Sequence, residues 1–582
     1  MLFAKSVLVA LCAGSSTGLR LVTYVFLRWI PSSGLPNWIY SLFVAYVTLF
    51  FYIFGSERPA EPKADERATL SANSSTKQPT ATNGTSEKTE IDQQQSAVST
   101  QVSTEAPASR PLWSVLLFGV PSHSRPAATL LTIAINVSLL AFSLDLIYTP
   151  HHAFPIHNVA FTRVGYVSDT SARFVVREAL RFPVMVRYRE IDQSEPEVFN
   201  ITNWAGWLEK NFASSLDEST DYTVQVDITD LKPATTYAFS TPSLNSTFTT
   251  APSKPGKFSF LSSSCIKARI PYNPFDHPLT IHGFRINRPL IPEVDFFLFL
   301  GDFIYADVPR LMGEDEESYR EHYRQVYADL QVSGFNRLPM IHVFDDHEII
   351  NDYDPRSSRL YGPATSAWKT YQGTGNPAPI RPNTTYYAFE RQGIPFFLMD
   401  TRSYRSLMTS ADGPDKTLLG RQQLADLRLW LEEHKDAPFK IIVSSIPFTK
   451  NWRGIDMYDT WSGYQHERAI ILKWFWSVGG VVVLSGDRHE AAAIKFPSPD
   501  GVSGNDAYEF SASPLSQFFL PIRTHKQKDN EDVTFMYMPD GNSKVGKIDI
   551  ETKEDGSTFL NYELFIDGTP RWNYTLQSSV GA

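Results

Sequence analysis

The sequence predicts an α/β fold, a layered β-sheet sandwich flanked by helices, preceded by a small β-sandwich and by N-terminal transmembrane helices. Three observations carry this. From Gly256 onward, apolar runs such as "FSFLSSS", "VDFFLFLGD", "MIHVFDD", "IPFFLMD", "FKIIVSS" and "GGVVVLSGD" alternate with helical stretches. Alternation of buried-type strands with helices implies layers of helix on sheet. Between Asn158 and Thr250 the runs are short and of period two, as in "SARFVVRE" and "YTVQVDITDL", the pattern of half-buried strands. Before residue 150 lie three long apolar stretches.

Those stretches are Ser6–Trp29, which contains Arg20, the cleaner Trp38–Phe54, and Ala127–Tyr148, which has Asp145 near its end. A bilayer span needs about 20 apolar residues, so each is expected to cross. A cleaved signal peptide is the alternative for the first, but no break separates it from the second, and retention is expected. Glu57 to Arg110 is rich in Ser, Thr, Ala, Gln, Glu and Lys and almost free of large apolar residues. Such a segment cannot bury enough surface to offset its ordering entropy and is expected to be disordered. The expected domains are two spans in 1–56, a polar linker over 57–126, a third span at 127–149, a β-sandwich at 150–252 and a catalytic domain at 253–582.

Charge sets the expected orientation. The linker carries Arg58, Lys63, Arg67, Lys77, Lys88, Arg110 and Arg125, while Pro31–Asn37 has no basic residue. Basic residues favour the cytosolic face, which puts residues 149–582 on the lumenal or extracellular side of an endomembrane, vacuolar or plasma membrane. Glycosylation sequons at Asn200, Asn245, Asn383 and Asn573 agree with that side, and those at Asn73 and Asn83 would go unused.

Composition narrows function. The net charge of −10 argues against a broad nucleic-acid surface, which demands clustered Lys and Arg. It does not oppose a phosphoryl substrate, because bound cations can supply the positive charge. No Gly-rich nucleotide loop is evident, so no nucleotide cofactor is expected. Of the two cysteines, Cys12 lies in an apolar stretch and Cys265 has no partner in the rest of the chain beyond it.

The strand endings carry the chemistry. "FSFLSSS" ends at Cys265, and "FFLFL" ends at Gly301-Asp302, with Tyr305 beyond. "IHVF" runs into Asp345-Asp346-His347-Glu348, then Asn351 and Asp352; "FFLM" ends at Asp400 and Arg402; "VVVLS" ends at Gly486-Asp487-Arg488-His489. A single such ending is ordinarily a turn or helix cap. Five on one sheet edge, where α/β sheets bind ligands, indicate a site. Carboxylates and an Asn carbonyl suit hard cations, and His suits transition metals. Tyr and a Cys thiolate suit ferric iron. A two-cation site can grip phosphate oxygens, generate hydroxide and neutralise a leaving oxygen, with a nearby His to protonate that oxygen and Arg402 as a bidentate phosphate clamp.

The order "SSSC", "GDFIYAD", "FDDHEIINDYD", "LMDTRSYR", "LLGRQQLADLRLWL", "DTWSGYQHER", "LSGDRHEAAA" and "YEFSASPL" resembles the PhoD-type alkaline phosphatase and phosphodiesterase family, within the calcineurin-like metallophosphoesterase and purple acid phosphatase group. It covers about residues 255–520, and the preceding sandwich matches that family's usual N-terminal module; "ITDLKPATTYAFS" itself resembles the late-strand turn and Tyr of fibronectin type III domains. The resemblance implies a ferric iron held partly by a Cys and a Tyr, beside calcium ions, with Zn2+, Mn2+ or Mg2+ as alternatives. It assigns Cys265, Asp302, Tyr305, Asp346, Asn351, Asp487 and His489 as metal ligands and His347 as the candidate acid. Arg402 and Asp400 match the family's Asp-x-Arg and are expected to face substrate, with Trp461 and Tyr464 at the rim. The early Asp-x-His element of the wider group is replaced by Cys265, and no His stands near Ser444-Ser445, so a mixed iron and calcium site fits better than a two-zinc one. His277, His282, His322, His342 and His466 lack motif context and are read as structural or solvated.

The expected activity is hydrolysis of phosphoesters by a metal-activated hydroxide, in a membrane-anchored alkaline phosphatase or phosphodiesterase. Two alternatives stand beside it: a phosphodiesterase for phospholipids or lipid-linked phosphates, and an inactive membrane scaffold or receptor that keeps the fold.

Overall fold

The computed structural model describes residues 2–57, 110–154, 156–179, 184–192, 204, 206–212, 216–453, 457–499 and 505–578. Residues 58–109, most of the expected linker, lie outside them, as do the sequons at Asn73, Asn83 and Asn200. Four helices open the chain: α1 Leu2–Arg28, α2 Leu35–Ser56, α3 Leu112–Phe118 and α4 Pro126–Ala153. The helical stretches Phe3–Arg28, Leu35–Ser56 and Pro126–Ala153 are each long and apolar enough to cross a membrane. Helix α3 falls inside the span assigned to the linker.

The chain divides into two compact units: Met1–Thr23 with Asn37–Ala141, and Tyr24–Pro36 with Phe142–Ala582. Within the first, Arg20 is satisfied at every branch. Its Nε donates to Asn136 Oδ1 at 2.8 Å, Nη1 to the Leu116 carbonyl at 2.5 Å and Nη2 to Thr132 Oγ1 at 2.7 Å. Pairing of this kind lets a charge sit in an apolar helix.

Within the second unit, Asp145 is explained in the same way. Its Oδ2 accepts from Arg269 Nη2 and from the Tyr272 hydroxyl, each at 2.7 Å. The Tyr272 N–H donates to the Leu27 carbonyl at 3.0 Å, and His151 Nδ1 lies 2.9 Å from Glu321 Oε1.

Seven strands come next: β1 Phe161–Val167, β2 Ala172–Arg177, β3 Val184–Glu190, β4 Leu208–Phe212, β5 Thr223–Ile228, β6 Thr236–Ser240 and β7 Asn245–Thr249. They form two antiparallel sheets, β1-β2-β5 and β4-β3-β6-β7. Their inward residues, including Val164, Phe174, Val186, Val226 and Phe239, share one core. The Tyr237 hydroxyl accepts the Lys232 N–H at 2.9 Å and pins the preceding turn. Arg163, fully buried, ties the sandwich to the large domain through the carbonyls of Met340, Tyr371 and Gln372.

The large domain has strands β8 Lys257–Ser263, β9 Phe296–Phe299, β10 Met340–His342, β11 Tyr387–Arg391, β12 Ile394–Leu398, β13 Lys440–Val443, β14 Val481–Ser485, β15 Ala491–Phe496, β16 Ala507–Ala512, β17 Val533–Met538, β18 Lys544–Thr552, β19 Thr558–Ile566 and β20 Thr569–Gln577. Its helices are α5 His282–Asn287, α6 Glu316–Ser333, α7 Ser358–Tyr371, α8 Gly420–Glu433 and α9 Gln465–Val478. One sheet has the order β10-β9-β8-β18-β19-β20 and the other β11-β12-β13-β14-β16-β15-β17. In the first the parallel set β10-β9-β8 forms one edge and antiparallel β18-β19-β20 continue it; in the second a parallel centre β12-β13-β14-β16 has antiparallel strands at both sides.

The two sheets share a core in which Phe260, Leu298 and Ile548 meet Phe396, Ile441 and Phe510. Alternate strand residues explain the layers: Phe296 and Leu298 face one side and Phe297 and Phe299 the other. Tyr319, Tyr323 and Tyr327 of α6 and Trp368 of α7 join this core. Leu427 and Leu431 of α8 and Ile471 and Phe475 of α9 build a second one with Phe397, Ile442 and Val483. Burying each such side chain contributes roughly 1.5–3 kcal/mol. The parallel strands of both sheets deliver their carboxyl ends to one edge.

Candidate metal centre

Five of those strands end in the turns singled out in the sequence, and the turns are bent. Cys265, Asp302, Asp487 and His489 all adopt left-handed backbone, with φ of 63°, 58°, 71° and 56°. Each such position costs on the order of 1–3 kcal/mol, and strain of this kind gathers at functional sites. The close approach also dictates two glycines. A Cβ on Gly301 would stand 2.4 Å from the Asp345 Cβ, and one on Gly486 would stand 2.3 Å from Ser264 Oγ.

Glu348 holds two of the turns together. Its carboxylate accepts the N–H groups of Asp302 (3.0 Å), Phe303 (2.7 Å) and Asp345 (2.9 Å). It therefore locks the loops after β9 and β10 and does not itself face the cavity.

At one end, Cys265, Tyr305 and His489 gather around Asp302. The Cys265 thiol lies 3.3 Å from Asp302 Oδ2, the Tyr305 hydroxyl donates to the same oxygen at 2.8 Å, and Tyr305 Oη is 3.2 Å from His489 Nε2. At the other, Asp302, Asp345, Asp346 and Asp487 each present an oxygen within 4.8 Å of the others. Asp302, Asp346 and His347 form a second such group that shares two of these carboxylates, and Asp346, Asp352 and Asp459 form a third.

The donors fit cations. Asp345 Oδ2 and Asp487 Oδ2 are buried and have no hydrogen-bond partner among the described residues. Burial pushes the Asp302 and Asp487 carboxyls well above the usual carboxylate range, and the facing charges of Asp345 and Asp346 push the same way. Burial, reinforced by Asp302, likewise raises the Cys265 thiol and the Tyr305 phenol. A carboxylate cluster this close repels itself, and cations resolve the repulsion and favour the thiolate and phenolate. Burial holds His489 well below the usual imidazole range, so it is neutral and able to ligate.

His347 has the opposite setting. Burial opposes its cation, but the carboxylates of Asp307, Asp302 and Asp346 outweigh that and hold it well above the usual range. Its Nδ1 is 2.7 Å from Asp307 Oδ1, which leaves Nε2 as the nitrogen available to the cavity.

A cavity of about 350 Å³ gathers these groups. Asp302, Tyr305, Asp346, His347, Asn351, Asp487 and His489 line it, together with Arg488, Asp307, Asp352, Asp459, Gln517, Phe518, Leu520 and the turn Ile30–Ser33. Cys265 lies beneath, fully buried.

The expected substrate-facing group does not join them. Arg402 is fully buried: its Nε donates to Asp345 Oδ1 at 2.5 Å and its Nη1 to Asp459 Oδ2 at 2.6 Å. Its Nη2 stands 3.6 Å from Asp346 and 3.9 Å from Asp487. The guanidinium backs the carboxylates and does not line the cavity. Asp400 caps its own turn by accepting the N–H groups of Arg402 and Ser403 at 2.9 and 2.8 Å. Trp461 and Tyr464 are fully buried in the core under α8 and α9, where Tyr464 donates to the Ser406 carbonyl at 2.8 Å.

Sequence reasoning also passed over Asp307, Asp345, Asp459 and Arg488. Asp345 and Arg488 sit inside the strand-end runs, each beside a predicted ligand. Asp307 comes two residues after Tyr305. Asp459 lies in a loop with no strand before it; despite burial, Arg402 and Arg405 hold it down to about 2. Among the histidines without motif context, His322 and His342 are buried and kept neutral by burial, and His282 pairs with Asp276 at 2.8 Å.

The family profile "PhoD-like phosphatase" matches residues 282–558. The structure of PhoD superposes with a TM-score of 0.57 at 17% identity, covering 73% of this chain and 90% of that one. The purple acid phosphatase PPD1 from seeds of yellow lupin (Lupinus luteus) superposes with a TM-score of 0.51 at 12% identity, covering 72% and 74%. At these identities the two structures speak for the fold. No curated protein matches the chain. Residues 282–558 thus carry a PhoD-like phosphatase domain, the part of the chain that the cavity-lining turns after β9, β10 and β14 belong to.

Proposed function

We propose that this protein is a membrane-anchored, metal-dependent phosphoesterase whose catalytic domain faces the lumenal or extracellular side and carries a mixed iron and calcium centre. The domain reading that goes with it is a fibronectin-like sandwich at 150–252 and a catalytic domain at 253–582. The observation that carries the proposal is the cavity shared by Asp302, Tyr305, Asp346, His347, Asn351, Asp487 and His489, with Cys265 beneath it.

Cys265, Tyr305, His489 and Asp302 would hold the iron, and Asp302, Asp346, Asn351 and Asp487 the calcium. Bound there, the ions supply Lewis acidity toward phosphate oxygens and a nucleophile at moderate pH. The protein's own residues do the rest. His347, kept protonated by Asp307, gives its Nε2 proton to the leaving oxygen. Arg488, at the cavity wall, takes the phosphate contact that Arg402 is too deeply placed to make. Asp345 and Arg402 fix the carboxylates, and Glu348 fixes the turns that bear them.

Turnover of bis-p-nitrophenyl phosphate and of p-nitrophenyl phosphate by the detergent-solubilised full chain tests this. Activity lost to a chelator and restored by iron with calcium supports the proposal. Activity that survives complete removal of metal refutes it.

A further inference from the structure

Part of the lining of the cavity is not made by the catalytic domain. It is the turn Ile30–Ser33, which joins α1 to α2. Residues Tyr24–Pro36 belong to the same compact unit as the metal centre. They are fastened there by the Tyr272 N–H on the Leu27 carbonyl, and Tyr272 is bonded in turn to Asp145 of α4. The end of one apolar helix and the end of another are thus clamped to a single loop of the catalytic domain.

Beside the polar groups the lining includes apolar residues: Phe518 and Leu520 line the cavity alongside Ile30. Ile522, two residues on, is 70% exposed, and Phe275, in the loop that holds Tyr272, is 94% exposed. Tyr24 and Trp29 pack edge to face at 5.2 Å where α1 ends, and Tyr and Trp are the residues enriched where helices leave a bilayer. A helix that spans a membrane ends at the headgroup level, so a cavity walled by the turn after it opens at that level.

We infer that the substrate is a phosphoester carried on the headgroup of a lipid in the protein's own membrane, presented to the metal centre past Ile30–Ser33 without leaving the bilayer. This rests on the phosphoesterase reading and on the three apolar helices spanning. A lipid phosphate at that height reaches Arg488 and the carboxylate cluster while its chains stay in hydrocarbon. Hydrolysis adds water across the P–O bond: the phosphorus gains the hydroxyl oxygen, and the departing oxygen takes the proton from His347.

The test uses the full chain with its metals in dioleoylphosphatidylcholine nanodiscs that also hold dioleoylphosphatidic acid. These supply a diester and a monoester. The soluble arms are the dibutyryl forms of both lipids and bis-p-nitrophenyl phosphate, and a further arm offers the dioleoyl lipids in separate vesicles. Lipid in the disc is expected to react at least about tenfold faster than its dibutyryl form, from presentation alone. Ile30→Asp and Leu520→Asp are each expected to lower that ratio. Soluble substrates turned over as fast as disc lipid, lipid in separate vesicles attacked equally well, or a ratio indifferent to both substitutions overturns the inference and leaves the phosphoesterase reading standing. No turnover in any arm with metals bound overturns both.

Discussion

Arg402 separates two accounts of the site sharply. A phosphate clamp must reach the cavity. The buried guanidinium instead donates to Asp345 and Asp459 at 2.5 and 2.6 Å, with Asp346 and Asp487 at 3.6 and 3.9 Å. Arg402→Ala therefore leaves four carboxylates facing one another around a void, with Arg405 still neutralising part of Asp459. Removing one partner of a buried ion pair costs about 3–5 kcal/mol. For a large domain that lowers the apparent thermal midpoint by roughly 6–10 °C. The loss is expected to be greatest in metal-free protein, because bound cations neutralise the same carboxylates. Arg402→Lys keeps the charge but not the fork, so it recovers only part of the stability. The assay is thermal unfolding of the full chain, metal-loaded and metal-free, beside KM for bis-p-nitrophenyl phosphate. An Arg402→Ala protein with a wild-type midpoint and a raised KM alone refutes the reasoning and restores the clamp.

The same geometry makes other outcomes measurable. Asp307→Asn removes the nearest carboxylate from His347, whose cation Asp307, Asp302 and Asp346 hold above the usual range against burial. Activity that needs the His347 proton then disappears at lower pH, so the alkaline limb of kcat/KM moves down the pH scale; an unmoved limb excludes His347 as the acid. Burial lowers Lys544 from its ordinary 10.5 to about 7. Between those values the unfolded chain binds the extra proton, so the Lys544 contribution makes stability rise with pH across the window. Lys544→Met is expected to flatten that rise relative to wild type in urea titrations run at several pH values. Asn245, Asn383 and Asn573 are all exposed. On the non-cytosolic side each carries glycan, and endoglycosidase treatment should shift the protein's mobility by an amount that shrinks with each Asn→Gln change; an unshifted band reverses the topology.

Much of the candidate site was legible because its residues sit immediately after apolar strands. Cys265, Asp302, Asp346, Asp487 and His489 could be picked out as candidates since a parallel sheet carries its strand ends to one edge. What the pattern lacks is direction. Arg402 also comes after a strand, β12, yet its side chain turns behind the carboxylates, and Asp400 places Oδ1 on its own turn and Oδ2 on the Thr385 hydroxyl. Trp461 and Tyr464 share a loop with Asp459, and only the acidic residue reaches the cavity; the aromatic pair packs inward, as bulky apolar side chains do in a dense core. The turn Ile30–Ser33 was beyond sequence reasoning altogether. It lies some hundreds of residues from the candidate ligands whose cavity it helps to line, and no period or motif links them. The apolar helices were readable by length, and the polar residues within them, Arg20 and Asp145, make sense only once their partners are in place.

The most direct test of the centre is metal analysis of the purified full chain, as wild type and as Cys265→Ser, with bis-p-nitrophenyl phosphate turnover followed in parallel. Iron and calcium in the wild type, with iron and turnover both lost in the variant, is the predicted result. Full metal content and an unchanged rate in Cys265→Ser would contradict it and reduce Cys265 to a packing residue beneath a site built from Asp and His alone.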